Sequence, residues 1–373
     1  MAGIYVHIPF CRSRCIYCGF FSTTSLEWRT AYVDALCTEL YERKRYLKGE
    51  EIETIYFGGG TPTQLPVSSI ERVLNCIYNI YNVRENAEIT VEGNPDDMTP
   101  ELLQSLKRLG VNRLSMGVQT FSDERLRFLH RRHDSMQAIV AVKEAQKVGF
   151  DNVSIDLMFG FPEESMNDWQ EDVRMALSLG VQHLSAYSLM YEEGTALGKM
   201  LDDGKIQEID EELSLSMYEH LLNATFKAGF QHYEISNFAL PGFQSKHNSS
   251  YWHSVPYLGV GAGAHSYDGC NRHYNPDSLK EYLEGAPLEE EILNDDERFN
   301  EYVFTGLRTS EGIDVSLLES LYGKEKKEYC LNNARKHIDT GRILYDGKIL
   351  KLSKSGLFVS NDVMSDLMIT ALD

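Results

Sequence analysis

Tyr5-Val6-His7-Ile8-Pro9-Phe10-Cys11-Arg12-Ser13-Arg14-Cys15-Ile16-Tyr17-Cys18 is the stretch from which the rest of this chain is read. Ile4–Ile8 has the short, apolar, β-branched and aromatic character of a strand, and Pro9 ends it. Three of the seven cysteines, Cys11, Cys15 and Cys18, follow at once. No basic stretch with an apolar core and a small-residue cleavage site opens the chain, so a reducing, cytoplasmic compartment is expected. There, clustered thiols point to metal or catalysis rather than to disulfides. Three thiolates suit three irons of a cubane and leave the fourth iron open. Zinc is the competing reading, but a structural zinc site takes four protein ligands. His7 or a distant residue would have to supply the fourth, since no second cysteine pair is present. Cys37 and Cys76 lie in helical apolar patterns and read as core thiols; Cys270 and Cys330 are scattered.

Beyond the cysteines, strand and helix alternate. Strands are expected at Ile4–Ile8, Thr54–Phe57, Glu88–Glu92, Arg113–Gly117, Val153–Leu157 and His183–Tyr187. Helices are expected near Trp28–Lys48, Ser69–Tyr81, Pro100–Leu109, Ser135–Val148 and Asn167–Leu179. Thr99-Pro100 reads as an N-cap followed by proline at the first helical position, and Gly110, Gly149 and Gly180 as C-terminal glycines. Six β-then-α units predict a parallel sheet with right-handed crossovers, an incomplete (β/α)6 barrel within residues 1–230. An aromatic, His-rich, loop-like segment is read over 231–275. A smaller, mostly helical, winged-helix-like domain is read over 276–373, with a hairpin turning at Asp346-Gly347. A long helix is expected over Ile209–Ala228.

The net charge of −20 argues against nucleic acid as a partner. The basic run Arg125–Arg132 is the local exception, and its plain reading is a solvated helix face. No run approaches eighteen apolar residues, so no transmembrane helix is expected.

Polar residues stand at the ends of successive strands: Glu92 ends the third, Gln119 follows the fourth, Asp156 lies at the end of the fifth, with Gly58-Gly59-Gly60-Thr61-Pro62 closing the second. On one sheet edge they would converge on one cavity. The CxxxCxxC spacing with these motifs in this order resembles the radical S-adenosylmethionine superfamily. Within it, residues 3 to 270 are similar to the oxygen-independent coproporphyrinogen oxidase group through Tyr-Val-His-Ile-Pro-Phe-Cys, Gly-Gly-Gly-Thr-Pro-Thr, Glu-Gly-Asn-Pro and Gly-Val-Gln. The resemblance implies a [4Fe–4S] cluster on Cys11, Cys15 and Cys18. It also implies S-adenosylmethionine contacts from Tyr5, Tyr17, Gly60, Thr61, Glu92, Gln119, Arg131, Asp156 and Met190. Arg131 would grip the methionine carboxylate with two prongs. No residue is singled out as catalytic.

Two departures separate the chain from true oxidases. Phe20 stands where they carry a fourth cysteine, and only ten residues precede Cys11. Both match the related HemW-type heme chaperones. His247-Asn248-Ser249-Ser250-Tyr251-Trp252 matches their HNxxYW motif. That resemblance implies heme as cargo, His247 at the heme, acceptor hemoproteins, respiratory ones among them, as partners, and a homodimer. Gly259, Gly261 and Gly263 are read as a pliable wall beside the motif. Porphyrinogen decarboxylation or other radical chemistry, and a zinc-stabilised scaffold, are the alternatives. A location at the inner face of a membrane stays open beside the cytoplasm.

Overall fold

The first six strands pair in chain order, all parallel: β1 (Ala2–Ile8), β2 (Ile52–Gly59), β3 (Val83–Gly93), β4 (Arg113–Gln119), β5 (Val153–Phe159) and β6 (His183–Ser188). The computed structural model describes residues 1–370. Helices α1 (Arg29–Glu42), α2 (Val67–Ile80), α3 (Pro100–Arg108), α4 (Asp123–Phe128), α5 (Ser135–Val148) and α6 (Met166–Ser178) lie between the strands. β6 does not pair with β1, so the barrel is open, as the count of six units implies. Thr99 caps α3 through its hydroxyl, and Gly149 ends α5 at φ +98°, as the local chemistry dictates. The first helix is shorter than expected: it ends at Glu42, and turns lead to Lys48 and Gly49, both at positive φ.

Alternation along the strands decides what the barrel encloses. Ile4, Val6, Ile8, Ile55, Phe57, Ile89, Val91, Leu114, Met116, Ile155, Leu157 and Leu184 are buried in one large apolar core. The residues between them, Tyr5, Tyr56, Glu92, Arg113, Ser115, Asp156 and Ser185, line an interior cavity. Parallel strands buried on both faces are normally apolar throughout. Here one face is polar because it surrounds a hole.

The segment read as loop-like, 231–275, contains five short strands and a helix. After α7 (Ala196–Asp202) and α8 (Glu211–Lys227), β7 (Gln231–Glu234) and β8 (Asn237–Ala239) form a hairpin that adds antiparallel to β6. Helix α9 (Lys246–Trp252) follows. Next, β9 (Tyr257–Val260) joins β1 in parallel, and β10 (His265–Tyr267), β11 (Asn271–Tyr274) and β12 (Glu289–Ile292) extend that edge. The divisions read at 230 and 275 therefore both fall inside one twelve-stranded sheet. These strands are three or four residues long, too short for alternation to show. Two of the three glycines, Gly259 and Gly261, are not a pliable wall. A Cβ on Gly259 would meet the His265 carbonyl oxygen at 1.9 Å, and one on Gly261 the Tyr32 hydroxyl at 2.4 Å. They permit close packing.

A second core gathers Phe299, Val303 and Leu307 of α11 (Asp295–Arg308) with Leu318, Cys330 and Ala334 of α12 (Val315–Asp339). The short helix α10 (Leu279–Leu283) precedes it. Strands β13 (Ile313–Asp314), β14 (Ile343–Tyr345) and β15 (Ile349–Leu352) form a three-stranded sheet with the expected hairpin, Gly347 at φ +95°. Helices α13 (Lys354–Phe358) and α14 (Ser360–Leu367) complete this winged-helix-like module.

Candidate functional site

The cysteine loop is tied to the barrel mouth at both ends. The Cys11 N–H donates to the Thr23 carbonyl at 2.9 Å, and the Leu197 N–H to the Ile16 carbonyl at 2.9 Å. Gly60 makes this possible: a Cβ there would lie 2.7 Å from the Pro9 carbonyl carbon and 2.8 Å from its oxygen. All three thiols are partly buried. Burial pushes the Cys11 and Cys18 thiols above their ordinary range. Iron reverses that effect, since a coordinating thiol is deprotonated outright. Among the described residues, no three His, Cys, Asp or Glu side chains are gathered around a single-ion site.

An arc of polar contacts links two of the cysteines. The Arg131 Nη1 donates to Cys15 Sγ at 3.4 Å; its Nη2 donates to Asn94 Oδ1 at 2.7 Å and to the Gly117 carbonyl at 2.5 Å. Asn94 Nδ2 donates to Thr61 Oγ1 at 3.4 Å, and that hydroxyl lies 3.4 Å from Cys11 Sγ. Arg131 Nε is buried with no partner. These contacts take three of the guanidinium's five N–H groups and leave the Nε–H and one Nη1–H for a ligand. Asn94 was not singled out by sequence reasoning; its place in Glu-Gly-Asn-Pro, after a strand end, is the signal that could have found it. Gln119 sits at φ +71° where the β4–β5 register shifts, and a Cβ on Gly117 would meet its Nε2 at 2.8 Å. A non-glycine residue in that conformation is uncommon and favours function. Tyr17 packs behind the loop with Ile16, Leu129 and Phe161.

Below the mouth, all six parallel strands contribute to a cavity of about 310 Å³. Tyr5, Glu92 and Asp156 meet there, as expected. β5 runs on to Phe159, so Asp156 lies in mid-strand, deeper than the rim position read from sequence. Glu92 Oε1 accepts from the Tyr56 hydroxyl at 2.6 Å and Oε2 from the Gly59 N–H at 3.2 Å. Burial, reinforced by Asp156, raises its pKa to about 7. Burial likewise raises Asp156 to about 6, against hydrogen bonds from Ser185 and Ser115 and the charge of Arg113. Two half-buried carboxyls near neutrality suit a ligand that brings hydroxyl donors or a cation. Arg113 is buried beside them, with Nε and Nη1 unpartnered. Sequence reasoning missed Arg113, Ser115, Tyr56, Ser185 and Tyr187; polar residues at every second position of otherwise apolar strands were the readable sign.

The donor set therefore fits both groups: thiols at the mouth for a cluster, and a polar cavity with carboxyls beneath it for an adenosylated amino acid. Met190 stands apart from the cavity, 61 % exposed on the loop after β6. That loop borders the cysteines, since a Cβ on Gly19 would meet Glu192 Oε2 at 1.9 Å. The basic run is ion-paired rather than simply solvated. Arg125 bridges to Asp168 at 2.9 Å, and Arg132 to Asp96 at 2.9 Å and Asp97 at 3.1 Å.

His247 lies inside the fold, 1 % exposed. Buried Glu88 accepts from the first N–H groups of α9, Lys246 at 3.2 Å and His247 at 3.1 Å, which sets the helix against the barrel. The imidazole bonds through Nδ1 to Thr54 Oγ1 at 2.7 Å and through Nε2 to the Tyr251 hydroxyl at 2.8 Å. It stacks on Tyr56 at 5.1 Å. Burial, then the nearby Arg113 charge, lowers its pKa to about 3, so it is neutral.

The sequence matches the Radical SAM superfamily model over residues 5–176 and the HemN C-terminal domain model over 293–359. It is 34 % identical to "Heme chaperone HemW" of Lactococcus lactis, over 98 % of this chain and 97 % of that one. It is 33 % identical to the protein of the same name from Bacillus subtilis, over 97 % and 98 %. This chain belongs to the HemW family of radical S-adenosylmethionine proteins. A protein named "Radical S-adenosyl methionine domain-containing protein 1, mitochondrial" from Bos taurus is 32 % identical over 98 % and 87 %. The fold matches the coproporphyrinogen III oxidase HemN of Escherichia coli, with a TM-score of 0.86, 24 % identity, and coverage of 98 % of this chain and 90 % of that one. The superfamily implies a [4Fe–4S] cluster and S-adenosylmethionine. Among the described residues, no helix is long and apolar enough to cross a membrane.

Proposed function

We propose that this protein binds heme and delivers it to acceptor hemoproteins, with a cluster on Cys11, Cys15 and Cys18 and S-adenosylmethionine beneath it. The observation that carries this reading is nearly full-length similarity to proteins named heme chaperones, with HNxxYW placed on α9 between the barrel and the C-terminal module. Phe20, at the position of the oxidases' fourth cysteine, speaks against the oxidase alternative. When bound, the cluster and cofactor supply reductive cleavage to a 5′-deoxyadenosyl radical. The chain's part is to orient and shield: Tyr5, Tyr17, Gly60, Thr61, Glu92, Gln119, Arg131, Asp156 and Met190 form the proposed cofactor shell. His247 serves the heme side through α9. In the same reading the protein acts in the cytoplasm, reaches respiratory hemoproteins at the inner membrane face and pairs as a homodimer.

The test sets hemin transfer to an apo-hemoprotein beside an anaerobic assay with coproporphyrinogen III, using the reconstituted chain. Transfer without decarboxylated product is expected. Decarboxylation without hemin binding would establish the enzyme instead.

A further inference from the structure

We propose that the heme ring seats in a second cavity, on the outer side of α9 against the C-terminal module. This rests on the heme reading above. The cavity measures about 590 Å³ and is walled by Tyr251, Trp252, Tyr257, Tyr267, Phe304 and Met368. That volume is in the range of small-molecule sites, roughly 300–1,000 Å³. Aromatic faces and a thioether are the surfaces a flat apolar macrocycle needs. Tyr251 and Tyr257 meet edge to face at 4.7 Å, which fixes one corner. Arg308 lies over the Trp252 ring at 4.7 Å and holds that ring in place. Trp252 Nε1 is a buried donor with no partner.

The lining carries one cation and three carboxylates, so a ring that bears propionates has one place to anchor them. Arg272 lines the cavity with 38 % of its side chain exposed and pairs with Glu301 at 2.5 Å. Three carboxylates also border it: Glu291, Glu297 and Glu301. Each already has a partner. Glu291 takes the Tyr274 hydroxyl, Glu297 takes the Asn294 N–H at 2.7 Å, and Glu301 takes Arg272. A propionate would reach Arg272 by sharing it with Glu301 through the guanidinium's remaining N–H groups.

The HNxxYW motif is thereby divided between two rooms. His247 and Asn248 line the barrel cavity, Trp252 lines the outer one, and Tyr251 lines both. Both nitrogens of His247 are engaged on the barrel side, so it acts on the outer cavity through the Tyr251 hydroxyl. It is a positioning residue, not the iron's ligand.

The experiment titrates hemin into the anaerobically reconstituted full chain and follows the Soret band, with iron, sulfide and melting temperature measured alongside. Thr305→Trp puts bulk into the outer cavity from α11; Arg272→Gln removes the cation of its lining, with the melting temperature reporting any cost to the fold. Thr305→Trp is expected to weaken hemin binding by about tenfold or more and Arg272→Gln by several-fold, with cluster content unchanged. His247→Ala is expected to weaken binding and leave the Soret position of the bound form unmoved. Wild-type affinity in both cavity variants, or a moved Soret band in His247→Ala, overturns the proposal. A wild type that binds no hemin sinks the heme reading itself.

Discussion

Glu92→Gln, read across pH, tests the barrel cavity at its centre. Glu92 is hydrogen-bonded by Tyr56 and Gly59, and its pKa is raised to about 7. A ligand that donates hydroxyls, or carries a cation, to this carboxyl needs it ionised. At about pH 6, roughly one molecule in ten has Glu92 ionised, so S-adenosylmethionine affinity should be about tenfold below its high-pH plateau. Binding should release a proton, and between about pH 6 and 7 the affinity should rise by about fivefold. Below about pH 6, Asp156 adds a second proton and steepens the curve. Calorimetry of the anaerobically reconstituted protein, in two buffers of different ionisation heat, measures affinity and proton release together. Glu92→Gln should remove the pH dependence above about 6 and hold affinity near the protonated wild-type level. A flat wild-type profile from about pH 5.5 to 8.5, or no proton release, would refute the assignment of Glu92 to the cofactor.

Without ligand, the same groups have the opposite effect on stability. Carboxyls whose folded pKa is raised stabilise the fold below their unfolded values and lose that contribution as pH rises through about 7 for Glu92 and about 6 for Asp156. The apoprotein should therefore be less stable at about pH 8 than at about pH 5.5 in this respect, by about 2 kcal/mol for Glu92, and Glu92→Gln should flatten the difference seen by calorimetry. Gly60→Ala drives a methyl into the Pro9 carbonyl, a backbone group that cannot rotate away. A loss of about 1–3 kcal/mol and a lower iron content per chain are expected; Gly180→Ala, at φ +67° with nothing within 4 Å, should cost stability and keep its iron. Tyr251→Phe removes the hydroxyl shared by the two cavities, so any change of hemin affinity caused by S-adenosylmethionine should shrink in that variant; an unchanged shift would show that the two rooms communicate by another route.

Local chemistry was enough to read the six parallel strands, their helices and the cysteine loop. Their spacing repeats, and Thr99, Gly149 and Gly347 carry the capping and turn preferences that mark element ends. The family followed from motif order at strand ends, which needs no coordinates. The twelve-stranded sheet was not readable, because β7 to β12 are too short to show a period and pair with strands far away in the chain. The interior polar layer left a sign in the alternation of its strands, but whether Arg113, Ser115 or Tyr56 faces helix or hole is decided by the curvature of the whole open barrel. His247 shows the division most plainly. Its motif named it from sequence alone. Only packing turned its ring inward onto Thr54 and Tyr56 and left Trp252 facing the other way, because the two sides of one short helix meet different neighbours.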